Sequence, residues 1–202
     1  MKIPYGELAA LATALCWTAS SLAFTAAAKR LGSLALNLIR LLIALGLLTL
    51  ANAVGRGLPL PTDATPEAWA WLSVSAAAGL VIGDMALFRA FVLIGARLSM
   101  LVMALSPPMT AVLGWIALGE QLDPLDWLAM AVTLGGVAWV VLERSPPPRE
   151  EAPSVEKPVR GYLFALLGAA GQSGGLVLSK VGMKDYDPVA ATQIRVITGV
   201  AM

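Results

Sequence analysis

From Gly6 to Leu142 the chain repeats one pattern, an apolar segment of membrane-crossing length closed by turn residues. That pattern limits its fold more than any motif. A hydrocarbon core of about 30 Å needs about 20 apolar residues in helix. Five complete segments meet that length, over residues 7–28, 34–54, 68–94, 97–118 and 125–142. A sixth covers 161–181 and a partial seventh starts at Pro188. Gly32, Gly55-Arg-Gly57, Pro59, Pro61, Gly95 and Asp123-Pro124 punctuate them. Lipid offers no partner to backbone N–H and C=O groups, so segments of this kind cross it as helices. The expected class is an all-α polytopic membrane protein. Composition agrees, with 58% hydrophobic and 13% charged residues against about 45–50% and about 25% in soluble domains.

The first apolar segment is too long for a signal peptide and lacks a cleavage site set off by small residues, so it reads as a retained helix. Residues 143–160 differ in kind. They are proline-rich, charged and nearly free of large apolar groups, which predicts an extended linker without a core of its own. Trp69, Trp71, Trp115, Trp127 and Trp139 fall near segment ends, where amphipathic rings favour the headgroup region, while Trp17 falls mid-segment. Lys29, Arg30, Arg89, Arg97, Arg144, Arg149, Lys157 and Arg160 crowd the odd-numbered connections. That bias would set those connections on the cytoplasmic side and the amino terminus outside.

Several function classes drop out. A net charge of +1 gives no basis for binding a nucleic-acid polyanion. There is no histidine, the commonest metal ligand and general base, and the lone Cys16 reads as a small packing residue. No phosphate loop, nucleophile elbow, dinucleotide fingerprint or metal-ligand cluster is present. Neither an enzyme, a metal nor a cofactor is expected; the expected partners are a small-molecule solute and the lipid bilayer.

The chain also repeats itself. Gly6-Glu-Leu-Ala-Ala-Leu returns as Gly161-Tyr-Leu-Phe-Ala-Leu, and at the same offset Lys29 falls on Lys184 and Ile39-Arg40 on Ile194-Arg195. The matched glycine, lysine and intramembrane arginine carry the signal, since identity alone means little in so apolar a chain. Residues 1–142 then form a first five-helix repeat, 143–160 a linker and 161–202 the start of a second repeat, which breaks off within its second helix. Secondary transporters are often built from such repeats, with solute sites between them.

Candidate site residues follow from depth. An ionisable group at mid-helix costs roughly 2.5–3.5 kcal/mol on insertion scales and marks a functional position by default. Arg40 and Asp84 qualify, with Arg40 attracting an anionic solute group and Asp84 orienting it or holding a cation. The competing reading is a structural ion pair. Ser106-Pro107-Pro108 interrupts the fourth segment and strips the carbonyls of Met103 and Ala104 of their helical donors. It marks either a solute site at a broken helix or a packing kink. Thr13, Trp17, Ser20 and Phe24 share one helical face; the repeat places Gln172 opposite Trp17 across a cavity, unless ordinary packing explains both. Ser75, Gly79 and Gly83, and separately Gly171 and Gly175, form small-residue seams for close helix approach.

The stretch from Ile82 to Gly136 resembles the EamA family of the drug/metabolite transporter superfamily. Gly83-Asp84, the connection from Ala90 to Gly95 and Pro107-Pro108 carry the likeness, followed by Leu118-Gly119-Glu120 and Gly135-Gly136. The resemblance implies ten helices in two inverted five-helix repeats around a central cavity, the second incomplete here. It also implies export of amino acids or other small metabolites across a bacterial inner membrane, with both termini cytoplasmic against the charge bias. Pro107 and the Arg40/Arg195 pair match family positions at that cavity, and Glu120 a structural acid at a helix end. Small multidrug pumps use a deep acid in the first helix, and here that helix has only Glu7 near its start. The expected solute-contacting set is Trp17, Ser20, Arg40, Asp84, Met103, Ser106, Pro107, Gln172 and Arg195. The alternatives are a multidrug exporter of lipophilic cations, a five-helix unit acting as a homodimer, or a membrane scaffold that transports nothing.

Overall fold

The computed structural model describes residues 5–142 and 158–202. Those residues form α1 (Tyr5–Leu31), α2 (Ser33–Arg56), α3 (Pro66–Ala76), a π-helical segment (Ala77–Gly83), α4 (Asp84–Met103), α5 (Ser106–Leu118), α6 (Pro124–Leu142), α7 (Pro158–Met183) and α8 (Pro188–Ala201). Helix ends sit where the sequence supplies the chemistry for them. Gly32 takes φ 82° and alone separates α1 from α2. Thr65 accepts from the Ala68 N–H and Pro66 opens α3, and Asp187 accepts from Val189 and Ala190 ahead of Pro188 in α8. Gly119, left-handed at φ 67°, closes α5.

Among the described residues, Leu11–Leu31, Ser33–Arg56, Pro66–Met103 and Val159–Met183 are long and apolar enough to cross a membrane, and Ser106–Leu118 is a shorter apolar helix. The chain is thus an all-α, multi-pass membrane protein. The expected 97–118 segment is not one continuous helix: it breaks at Ala104 and Leu105, where the two following prolines remove backbone donors. Gly95 bends the chain as expected, at φ 79°. Of the expected 143–160 linker, residues 143–157 lie outside the described residues, and residues 158–160 open α7.

One helix organises the packing. α7 runs antiparallel along α3, the π-helical segment and α4, with Gly182 against Leu72, Gly175 against Gly79, Gly171 against Gly83 and Gly168 against Leu87. The two small-residue seams meet each other. A Cβ added at Gly175 would stand 2.9 Å from the Gly79 Cα, and one at Gly171 would stand 2.7 Å from the Ala78 carbonyl. The Ser75 hydroxyl donates to the Gly175 carbonyl at 2.6 Å, so close backbone contact is joined to a hydrogen bond. α8 runs antiparallel to α2, with Gln193 level with Asn52 and Gly199 beside Leu41. Phe24, Phe88, Phe91, Leu87 and Met103 form an apolar core where α1 meets α4. The outer faces of α1 and α6 carry exposed Leu11, Leu15, Leu22, Leu128 and Val132, side chains suited to lipid.

Candidate functional site

Where α2 crosses the π-helical segment, the polar groups converge. A π turn widens the helix and shifts its hydrogen bonds from the fourth to the fifth residue, and such turns often mark functional positions. Here the Asn37 side-chain amide donates to the Leu80 carbonyl at 2.9 Å. Its own carbonyl accepts from Arg40 at 3.0 Å. Arg40 also pairs with Asp84, the first residue past the π segment, and its guanidinium lies 5.4 Å from the Phe88 ring centre. The Asp84 side chain is 7% exposed and that of Arg40 23%, so the pair is largely withdrawn from solvent.

A second arginine arrives from the other side. Arg195 on α8 lies over the π segment, its Nη2 3.2 Å from where a Gly79 Cβ would stand. Asp84 is within electrostatic reach of Arg40 and Arg195 alike. Two guanidinium groups therefore share one carboxylate, and the cluster carries a net charge of +1. Both Arg40 Nε and Arg195 Nε are buried without a hydrogen-bond partner. A cleft of about 290 Å³ borders the cluster, lined by Asn37, Leu41, Val81, Met85 and Gly199.

The other expected residues lie apart from this cluster. Ser106 and Pro107 sit at the break before α5, where the Ser106 carbonyl accepts from Ser173 of α7 at 3.0 Å and from Thr110 at 2.9 Å. The Ser106 and Ser173 hydroxyls lie 3.1 Å apart. Side chains thus satisfy the interrupted backbone there, as a packing kink requires. Met103 is buried in the Phe88 core. Trp17 is 36% exposed on α1 and Ser20 half-buried. Gln172 lies half-buried on α7, its backbone N–H beside Gly83. Among the described residues no hydrogen bond or ring contact joins Trp17 to Gln172.

Sequence reasoning missed the buried amide pair between α2 and α8. Asn52 donates to Gln193 at 2.8 Å, and Gln193 in turn donates to Thr49 at 2.9 Å and to the Pro59 carbonyl at 2.8 Å. A polar residue inside each apolar segment was the available signal. It missed Asn37 too, although an amide one helical turn before an intramembrane arginine is placed to brace it.

A third polar group closes the end of the bundle where α2 stops. Arg56 bonds Asp63 at 2.5 Å, stands 3.9 Å from Asp187 and lies 5.3 Å from the Tyr186 ring centre. The Tyr186 hydroxyl donates to Asp63 at 2.8 Å. That hydrogen bond first, and Arg56 after it, holds the Asp63 carboxyl below the usual carboxylate range. Burial, then the bond to Asp63, raises the Tyr186 hydroxyl above its ordinary value. Lys184 pairs with Glu67 at 2.9 Å, and Lys180 pairs with Glu120. Among the described residues no group of three or more carboxylate, thiol or imidazole side chains is placed to hold a metal ion.

Residues 4–142 match the profile of the EamA-like transporter family. No curated protein and no solved structure is matched by the chain.

Proposed function

The chain belongs to the EamA-like transporter family, and on that premise we propose that it is a secondary-active exporter of amino acids or other small metabolites, working by alternating access in a cell membrane. One observation carries the reading. Arg40 and Arg195, at matching positions of the sequence repeat, reach one carboxylate at the crossing of α2, α8 and the π segment. Their helices run in opposite directions, as repeats of inverted topology require. A cluster of net positive charge at membrane depth suits a solute bearing a carboxylate and disfavours a lipophilic cation. Two repeats rocking about the α7 seam would open the cluster to each side in turn.

The test uses the full-length protein in liposomes and a panel of radiolabelled amino acids and small organic acids. At least one solute accumulates above empty liposomes, and the double variant Arg40→Ala/Arg195→Ala loses that accumulation while reaching the membrane normally. Uptake that survives the double variant would take the cluster out of the transport path. Competition by a lipophilic cation, with none by amino acids, would favour the multidrug alternative.

A further inference from the structure

The two arginines are not equivalent. Arg40 is fully engaged: it has a carboxylate partner in Asp84, a carbonyl partner in Asn37 and an aromatic face in Phe88. Asn37 is itself tied to the Leu80 carbonyl, so the brace reaches the backbone of the π segment. Among the described residues Arg195 has no hydrogen bond and no ion pair, only the field of Asp84 across the cluster. Its guanidinium rests over Gly79, where a side chain would crowd it, so the bare backbone there gives this group its space.

We propose that Arg195, rather than Arg40, takes the anionic group of the solute, a carboxylate bound through the planar guanidinium fork, and that Arg40 is a positioning residue that keeps Asp84 off Arg195. An unpartnered guanidinium at membrane depth is the costliest group in the cluster, and a monoanion supplies what it lacks. Asp84 is the built-in competitor. Paired with Arg40 it leaves Arg195 open to the solute; drawn to Arg195 it closes the site. Its carboxylate thus stands in for the solute anion when the site is empty, which spares the membrane an unpaired arginine in every state. The chemistry fits a carboxylate solute and an inorganic monoanion alike, so the experiment must part them.

The kinetic arm rests on the transporter reading; the binding arm does not. For binding, the melting temperature of the purified full-length protein is followed with sodium glycinate, with glycinamide hydrochloride and with sodium chloride at equal ionic strength. The wild type melts higher with glycinate than with glycinamide. Arg195→Gln abolishes that difference, and Arg40→Lys keeps it. For transport, Arg195→Gln raises KM for the carboxylate solutes by about tenfold or more, the loss of one charge-assisted contact. Arg40→Lys lowers the maximal rate and leaves KM within about twofold, since the lysine ammonium still occupies Asp84.

An equal glycinate shift in wild type and Arg195→Gln overturns the proposal, as does its loss in Arg40→Lys alone. A chloride shift as large as that of glycinate, and lost with Arg195, overturns the solute assignment in favour of an inorganic anion. If the wild type moves no solute on the panel, the transporter reading falls and the melting series still decides Arg195.

Discussion

α2 carries two arginines that solve the same electrostatic problem in different solvents. Arg40 meets Asp84 in a site sealed by the α7 seam and the Phe88 core, while Arg56 meets Asp63 at the end of the bundle, where the aspartate is well exposed. Both pairs face a residue of α8 or its leading turn, Arg195 in one case and Asp187 in the other. At the rim an unmatched charge is answered by water. At depth it is answered only by another charged side chain, which is why Asp84 is shared. The rim cluster has the larger number of partners, and the deep cluster has more at stake in each.

The comparison breaks first at Asp84. Asp84→Ala leaves two guanidinium groups without a counter-ion at depth and should destabilise the protein by about 3–5 kcal/mol. Loss of folded, monodisperse protein in detergent would report this. Replacing Arg40, Asp84 and Arg195 together by leucine should restore folding, because an apolar set of similar volume carries no burial cost. If Asp84→Ala folds as well as wild type, the deep cluster is as wet as the rim and the contrast fails.

A smaller effect belongs to the seam that keeps the cluster dry. Gly171→Ala would place a Cβ 2.8 Å from the Gly83 Cα and 2.7 Å from the Ala78 carbonyl, forcing α7 outward at about 1–3 kcal/mol. Unfolding in mixed detergent micelles should shift by that amount. Gly174→Ala, where the added atom meets open space, serves as the neutral control. Equal behaviour of the two variants would show that backbone contact does not set the geometry.

The smallest effect is at the rim, and pH reads it. Asp63 is held below the usual carboxylate range, so its contribution is complete above that range and is lost as pH falls through its lowered value. Tyr186 is raised, so its contribution is complete below the ordinary tyrosine range and is lost as pH rises through the raised value. Melting temperature should therefore stay flat near neutrality and fall slightly at both extremes. Asp63→Asn should remove the acid limb and leave the deep cluster untouched. An acid limb that persists in Asp63→Asn would assign it to another carboxylate.

Hydropathy and punctuation were enough to read the class of the molecule. The apolar segments, Gly32, Gly95 and the Pro107-Pro108 interruption are each visible because lipid forces every backbone group into a helix or onto a partner. The Arg40–Asp84 pair was legible for the same reason, since two opposite charges at depth have few alternatives to each other. The meeting of the two small-residue seams was half legible: the pattern shows that each permits close approach, but not against what. Register between helices decides the rest, and register is a property of three-dimensional packing. It sets Gln193 against Asn52, gives Ser173 to the Ser106 kink and leaves Trp17 partly exposed. Nor does sequence distinguish the engaged Arg40 from the open Arg195, because the difference lies in Asn37 and Phe88, which have no visible counterparts in the repeat.

The π-helical segment has one more consequence. An α-helix turns about 100° per residue, and a π turn accommodates an extra residue in a single turn. The segment at 77–83 is therefore a phase adjuster, setting the angular offset between the α3 face that holds Ser75 against α7 and the α4 face that holds Asp84 against Arg40. Deleting one residue there would leave hydropathy, span length and family likeness almost unchanged. It would nonetheless swing Asp84 about a quarter of a turn from its arginines. The chain's selectivity for charge is thus encoded partly as a count of residues, in a stretch whose side chains are nearly featureless.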